Sequence, residues 1–384
     1  MAAMNAWTWK WSERFNMKKV LFSIFTAFCL MAAPLSAFEW GGVFSNNSGV
    51  NAPEITIKQS DGISLWFNTP LGENSGFTLS GETLYKFNLT IVKDTDPEFV
   101  QIFDVPLLKV AGNINTGAGL LSLNVGRFYY VDSTSAVLAQ TVDGITVGYS
   151  LPAVKLGFFA GYTGLLNSLN APMAIASEKT NNIYRLAYPY VPVGASVEVP
   201  FASNQSFELS AYYLLDCGAN KTNLFYGNFV LSGPITNSIY YNLASSWGLI
   251  KFKDLMNYSA LSIMMFPTQE ISLNAGVTFG SAAEQGGFTA FVSPAPVSLT
   301  AAGAITPKLG FTFTKDSFCV DVNGNFVLAY NDSKYKGATS DVSAAFIYNI
   351  FSDLQVGLTV NATLDVSGGN AHTYGANLNV ALAF

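Results

Sequence analysis

Charge is what this chain has least of: 11% of its 384 residues are Asp, Glu, Lys or Arg, where an average soluble domain has about a quarter. A large secreted β-sandwich or β-helix would carry more charge on its water-facing surface, so the deficit argues against one. Histidine is nearly absent. The single His372 falls on the apolar side of its own segment and has no second imidazole beside it, which argues against a general-base enzyme. Of three cysteines, Cys29 lies in an N-terminal apolar stretch, and only Cys217 and Cys319 remain as an open pairing. Long apolar runs are missing too. Beyond that first stretch no segment of about 18 uncharged apolar residues occurs, which argues against membrane-spanning helices. Asp94-Thr95-Asp96 and Asp321-Val322-Asn323 do not continue into a calcium loop, and Gly286-Gly287 opens no helix, so neither metal nor other cofactor is expected.

What the chain does have begins with an export signal. Residues 1–16, with Trp7, Trp9 and Trp11, have no place in a signal peptide and read as an extension ahead of a start at Met17. Lys18 and Lys19, the apolar residues 20–33 and the small-residue site Leu35-Ser36-Ala37 make residues 17–37 a cleavable signal, cut before Phe38. Its apolar part is shorter than the roughly 20 residues that span a bilayer. Thr26-Ala27-Phe28 is a poor match to a lipoprotein site, so no lipid anchor is expected at Cys29. Cleavage leaves 15 basic against 24 acidic residues. An acidic chain calls for no nucleic-acid partner.

The remainder, residues 38–384, reads as one domain of alternating segments. In the last fourteen residues, His372, Tyr374, Ala376, Leu378, Val380, Leu382 and Phe384 share one side, with small and polar residues on the other. A period of two is the mark of a strand. The pattern recurs at 354–365, 318–330, 271–279, 207–215, 85–91 and 342–350, with turn signals such as Lys315-Asp316-Ser317 and Ser352-Asp353 between. Many strands that are apolar on one side and polar on the other can satisfy all backbone groups in hydrocarbon only by closing on themselves. The expected fold is therefore an all-β, transmembrane, antiparallel up-and-down β-barrel with both termini periplasmic. The 347 residues after the signal, at roughly 20 per strand, favour about 16 strands, with 14–20 acceptable.

Three candidate strands are weak: 38–46, 184–190 and the region 287–292. The stretches 132–143, 165–182 and 331–338 read as external loops, of which 132–143 is the candidate to fold inward. The tyrosine pairs 129–130, 212–213 and 240–241 and the run 188–190 are candidates for the aromatic girdles at a bilayer interface. Strand parity puts Lys86, Lys155, Glu198, Glu208, Lys308, Asp321, Asp341 and Asp365 on the polar, lumen-facing side, where five acids against three bases favour cations mildly. Arg127 falls on the apolar parity of its segment, so the strand should end or bulge there.

The signal, the amphipathic strands and the terminal aromatic Phe384 together resemble the outer-membrane porin class of diderm bacteria. A weaker likeness lies in Val125-Gly126-Arg127, a loop, and Val142-Asp143-Gly144-Ile145. The resemblance implies location in the outer membrane, contact with its lipids, and recognition of Tyr374, Leu378, Val380, Leu382 and Phe384 by the barrel-assembly machinery. It is compatible with association into a homo-oligomer. The expected function is a channel for passive diffusion of small hydrophilic solutes. Two alternatives stand beside it: an adhesive surface barrel with a closed lumen, and a fatty-acid-type transporter, which would need an apolar internal path or an N-terminal plug such as residues 40–61 could supply.

Overall fold

The computed structural model describes residues 38–72, 75–171, 183–201, 204–219, 223–250, 254–281, 303–331, 334–368 and 371–384. The signal segment and the candidate strand at 287–292 lie outside them. Among the described residues eighteen strands follow one another: β1 (Glu39–Ala52), β2 (Thr56–Pro70), β3 (Phe77–Val92), β4 (Glu98–Asn115), β5 (Leu120–Val131), β6 (Ala139–Ser150), β7 (Lys155–Tyr162), β8 (Tyr190–Phe201) and β9 (Gln205–Asp216) form the first half. The second half is β10 (Leu224–Thr236), β11 (Ile239–Ile250), β12 (Asp254–Met265), β13 (Ile271–Gly280), β14 (Ala304–Lys315), β15 (Phe318–Asn331), β16 (Lys334–Asn349), β17 (Leu354–Asp365) and β18 (Thr373–Ala383). Each pairs antiparallel with its chain neighbours, and β1 pairs with β18, so the sheet closes into a barrel without a free edge.

Eighteen strands correct the expected 16. The estimate assumed an even share of loop, but the joints at 237–238 and 316–317 are two residues long and leave more chain for strands. Residues 331–338 are a second correction: β15 runs to Asn331 and β16 starts at Lys334, so most of the supposed loop is strand. The weak candidate at 38–46 belongs to β1, and residues 40–61 form wall strands rather than a plug. At 184–190 only Leu186, in an isolated bridge with Asn167, and Tyr190, opening β8, have strand pairing.

Closure at the seam depends on small residues. Phe384 exchanges backbone hydrogen bonds with Gly42, at 2.8 and 3.0 Å, and its ring covers the space that a Gly42 side chain would need. Registers carry the side-chain parity from strand to strand. Leu378 faces Leu358, Val380 faces Val356 and Leu382 faces Leu354, all on the outer side. The outer face is apolar and open: Leu309 is 70% exposed and Phe384 59%. One outer patch departs from this. Asn46, Ser48, Gln59 and Asp61, on adjacent strands β1 and β2, hydrogen-bond among themselves and so satisfy one another.

The tyrosine pairs named as girdle candidates each place one ring outward and one inward. Tyr129 is exposed on the outside, and Tyr213 and Tyr241 share the outer parity, whereas Tyr130, Tyr190 and Tyr212 turn inward and Tyr240, opposite Met264, which faces Asn274, lies on the interior parity. Two adjacent strand residues cannot share a face, so no pair contributes both rings. Cys217 follows β9 at one rim and Cys319 opens β15 near the other; both are free thiols.

Candidate functional site: a narrowed barrel interior

Residues 132–138, joining β5 to β6, fold into the barrel. The reason is local: Asp132-Ser133-Thr134-Ser135 is turn-forming sequence, and the Asp132 carboxylate gathers the turn around itself. It accepts hydrogen bonds from the amides of Thr134, Val137 and Leu138 at 3.0, 3.0 and 2.7 Å, and from Asn228 Nδ2 on β10 at 3.2 Å. Ser133 meets Ser210 on β9 at 3.2 Å, and Thr134 meets Ser246 on β11 at 2.9 Å. Ala136, Val137 and Leu138 are buried, in one cluster with Phe128, Val142, Phe159, Tyr212, Leu214 and Tyr226. Tyr130 stacks on Phe159 at 3.8 Å between ring centres and shares a 2.9 Å hydroxyl contact with Tyr212. The sequence placed an inward loop at 132–143; its last five residues belong to β6.

A second loop, between β7 and β8, is described at 163–171 and 183–189. The rest of the expected loop at 165–182 lies outside the described residues. It reaches β4 where that strand has left β5, since their pairing ends at Leu108 and Arg127. Beyond that fork the Phe103 amide donates to the Ile183 carbonyl at 3.2 Å, and Asn167 Nδ2 donates to the Phe103 carbonyl at 2.8 Å. Arg127 holds the fork. Its guanidinium makes two hydrogen bonds to Asp143, at 2.7 and 2.8 Å, and others to the carbonyls of Val105 and Leu165 and to the Tyr184 hydroxyl. Of the two outcomes the sequence allowed at Arg127, an end or a bulge, the strand does not end: β5 continues to Val131, with a backbone irregularity at Gly126, whose φ of 122° only glycine adopts with ease.

The faces of the sequence-derived residues follow from the registers. Lys86, Lys155, Glu198, Glu208, Lys308, Asp321, Asp341 and Asp365 share the interior parity with Ser210, Asn228 and Ser246, which touch the inward loop. Few of these charges are unengaged. Lys155 pairs with Glu198 at 2.9 Å, and Lys86 donates to Asn170, which in turn donates to Asp104 at 2.6 Å. Thr312 and Asn323 donate to Asp321, and Thr363 donates to Asp341. Asp365 is occupied by the turn after β17, accepting from Ser367 and Gly368, while its own amide donates to His372 Nδ1. Tyr374, Leu378, Leu382 and Phe384 are exposed on the outer face, and Val380 shares their parity. Two important residues escaped sequence reading, Asp132 as the centre of the inward turn and Asp104 beneath the second loop. The Asp-Ser-Thr-Ser run was a signal for the first; nothing local marked the second.

No protein-family model matches the chain, and no curated protein does. Solved structures do. Pseudomonas aeruginosa OpdK, crystallised with vanillate, is 12% identical with a TM-score of 0.59, over 91% of this chain and 99% of that one. OpdQ from the same organism is 11% identical with a TM-score of 0.61, over 91% and 99%. The fold is that of a porin-type barrel. Acinetobacter baumannii OccAB4, 9% identical, matches with a TM-score of 0.59 over 91% and 99%. At such identities the likeness is one of fold.

Proposed function

We propose that this chain is a porin-like channel of the bacterial outer membrane, exported by a cleaved signal and passing small hydrophilic solutes by passive diffusion. The observation that carries the reading is the combination of a closed eighteen-stranded cylinder, apolar outside, with a polar interior narrowed by a pinned loop. Cylinders of about 16 strands already leave an aqueous passage; a loop drawn inward limits what enters it. An apolar band outside and alternating polar residues inside suit a bilayer. The likeness to Pseudomonas aeruginosa OpdK, described as an outer membrane protein, supports the location.

The finer reading is a mild preference for cations, from the interior excess of carboxylates. In a planar bilayer with a salt gradient, the purified chain should give ohmic steps and a reversal potential of cation-selective sign. Absence of steps from a folded preparation would favour the adhesive reading, and a clear anion preference would remove the charge argument.

A further inference from the structure

Paired positions across the wall from β1 to β13 form one row: Asn51, Gly375, Asn361, Ser343, Asn323, Gly310 and Asn274. Asparagine alternates with glycine or serine across seven strands, all on the interior parity. The alternation is steric. A Cβ on Gly375 would stand 2.5 Å from Asn51 Oδ1 and 2.6 Å from Asn361 Oδ1, and one on Gly310 would stand 2.7 Å from Asn323 Oδ1. The carboxamides therefore lie down over the glycines, flat along the wall. Strands are about 4.8 Å apart, so the row is about 29 Å long; with strands tilted 35–45° it climbs about 17–20 Å along the barrel axis. Among the described residues, Asn51, Asn361 and Asn274 make no side-chain hydrogen bond.

We infer that this row is a track for neutral, polyhydroxylated solutes such as sugars and polyols. The inference rests on the channel reading and names its substrate class. A carboxamide both donates and accepts, as a hydroxyl does, and carries no charge to hold an ion. The carboxylates beside it are already engaged, Asp321 by Thr312 and Asn323 and Asp341 by Thr363, and Lys308 stands two positions from Gly310 on the same face. The uncharged amides at Asn51, Asn361 and Asn274 remain for a passing solute. A row that climbs the wall offers successive sites, each weak enough to leave, which conduction through a pore requires.

Single-channel recording of the full chain in planar bilayers tests this with two probes, sucrose and gluconate. Sucrose should interrupt the potassium chloride current of the wild type more strongly than gluconate does. In the double variant Asn51→Ala, Asn361→Ala, two lost hydrogen bonds should weaken sucrose binding at least about fivefold, with the open-channel current near wild type. Asn361→Gln, which keeps the amide, should retain most of the block, so that a folding defect is not mistaken for loss of the track. Equal block of wild type and double variant, stronger block by gluconate, or current without any sucrose interruption would each overturn the track while leaving the channel. A folded wild type that carries no current would remove the channel and the track together.

Discussion

At the scale of single residues, Asp132 has the most to lose. Its carboxylate serves three amides within its own loop and one amide side chain on the opposite wall, and each hydrogen bond to a charged group is worth about 1.5–3 kcal/mol. Asp132→Ala strips all of them at once and leaves the amides of Val137 and Leu138 buried without an acceptor. The loop should leave its seat on Asn228 and Ser246, and single-channel conductance should rise well above wild type; unchanged conductance would show that the loop is held by its apolar residues alone. Arg127 offers a parallel case at the fork between β4 and β5. Arg127→Met keeps the length of the side chain but abandons Asp143, the Tyr184 hydroxyl and two carbonyls, so the loop at 163–189 should become protease-sensitive in folded barrels. Limited proteolysis with mass-spectrometric mapping reads this directly.

Strands and their joints obey a different logic, in which one wrong atom disturbs a whole register. Phe384 closes the barrel by lying over Gly42, and any side chain at that position must push the ring away. Gly42→Val should therefore lower the yield of folded, heat-modifiable barrel, whereas the same substitution at Gly227, where no atom stands within 4 Å of the added carbon, should be tolerated. Equal yields from the two variants would deny the seam its special role. The same scale explains what was legible in the sequence. Segments such as 354–365 and 373–383 announce themselves because one face is uniformly apolar and the other small and polar. Asn331 to Ala338 misled because its polar residues resemble a loop, although β15 runs to Asn331 and β16 starts at Lys334. The parting of β4 from β5 could not be read at all: it arises from a loop whose Asn167, 64 positions along the chain, and Ile183 bond to Phe103. The bulge opposite Thr83, where β4 carries Val105 and Pro106 against one residue of β3, is a place where proline's missing donor does no harm.

For the molecule as a whole, interior and exterior are distinguished by where polarity is allowed, and the consequences can be separated by experiment. An interior charge stays in water, so changing it should alter the ions that pass while leaving the fold intact. In the proposed membrane setting a charge at an outer position must enter hydrocarbon, at a cost of about 2–4 kcal/mol for lysine near the bilayer midplane. Val360 and Asn361 are neighbours on β17 that face opposite ways, with Val360 39% exposed on the outer side. Asn361→Lys should fold into lipid vesicles as the wild type does and shift the reversal potential toward anions, because it places a cation among the interior carboxylates. Val360→Lys should leave selectivity alone and lower the denaturant midpoint of folding in vesicles. Were the two substitutions to behave alike in both measurements, the barrel would have no distinct wet and oily sides, and neither a membrane setting nor a passage through the centre could be maintained.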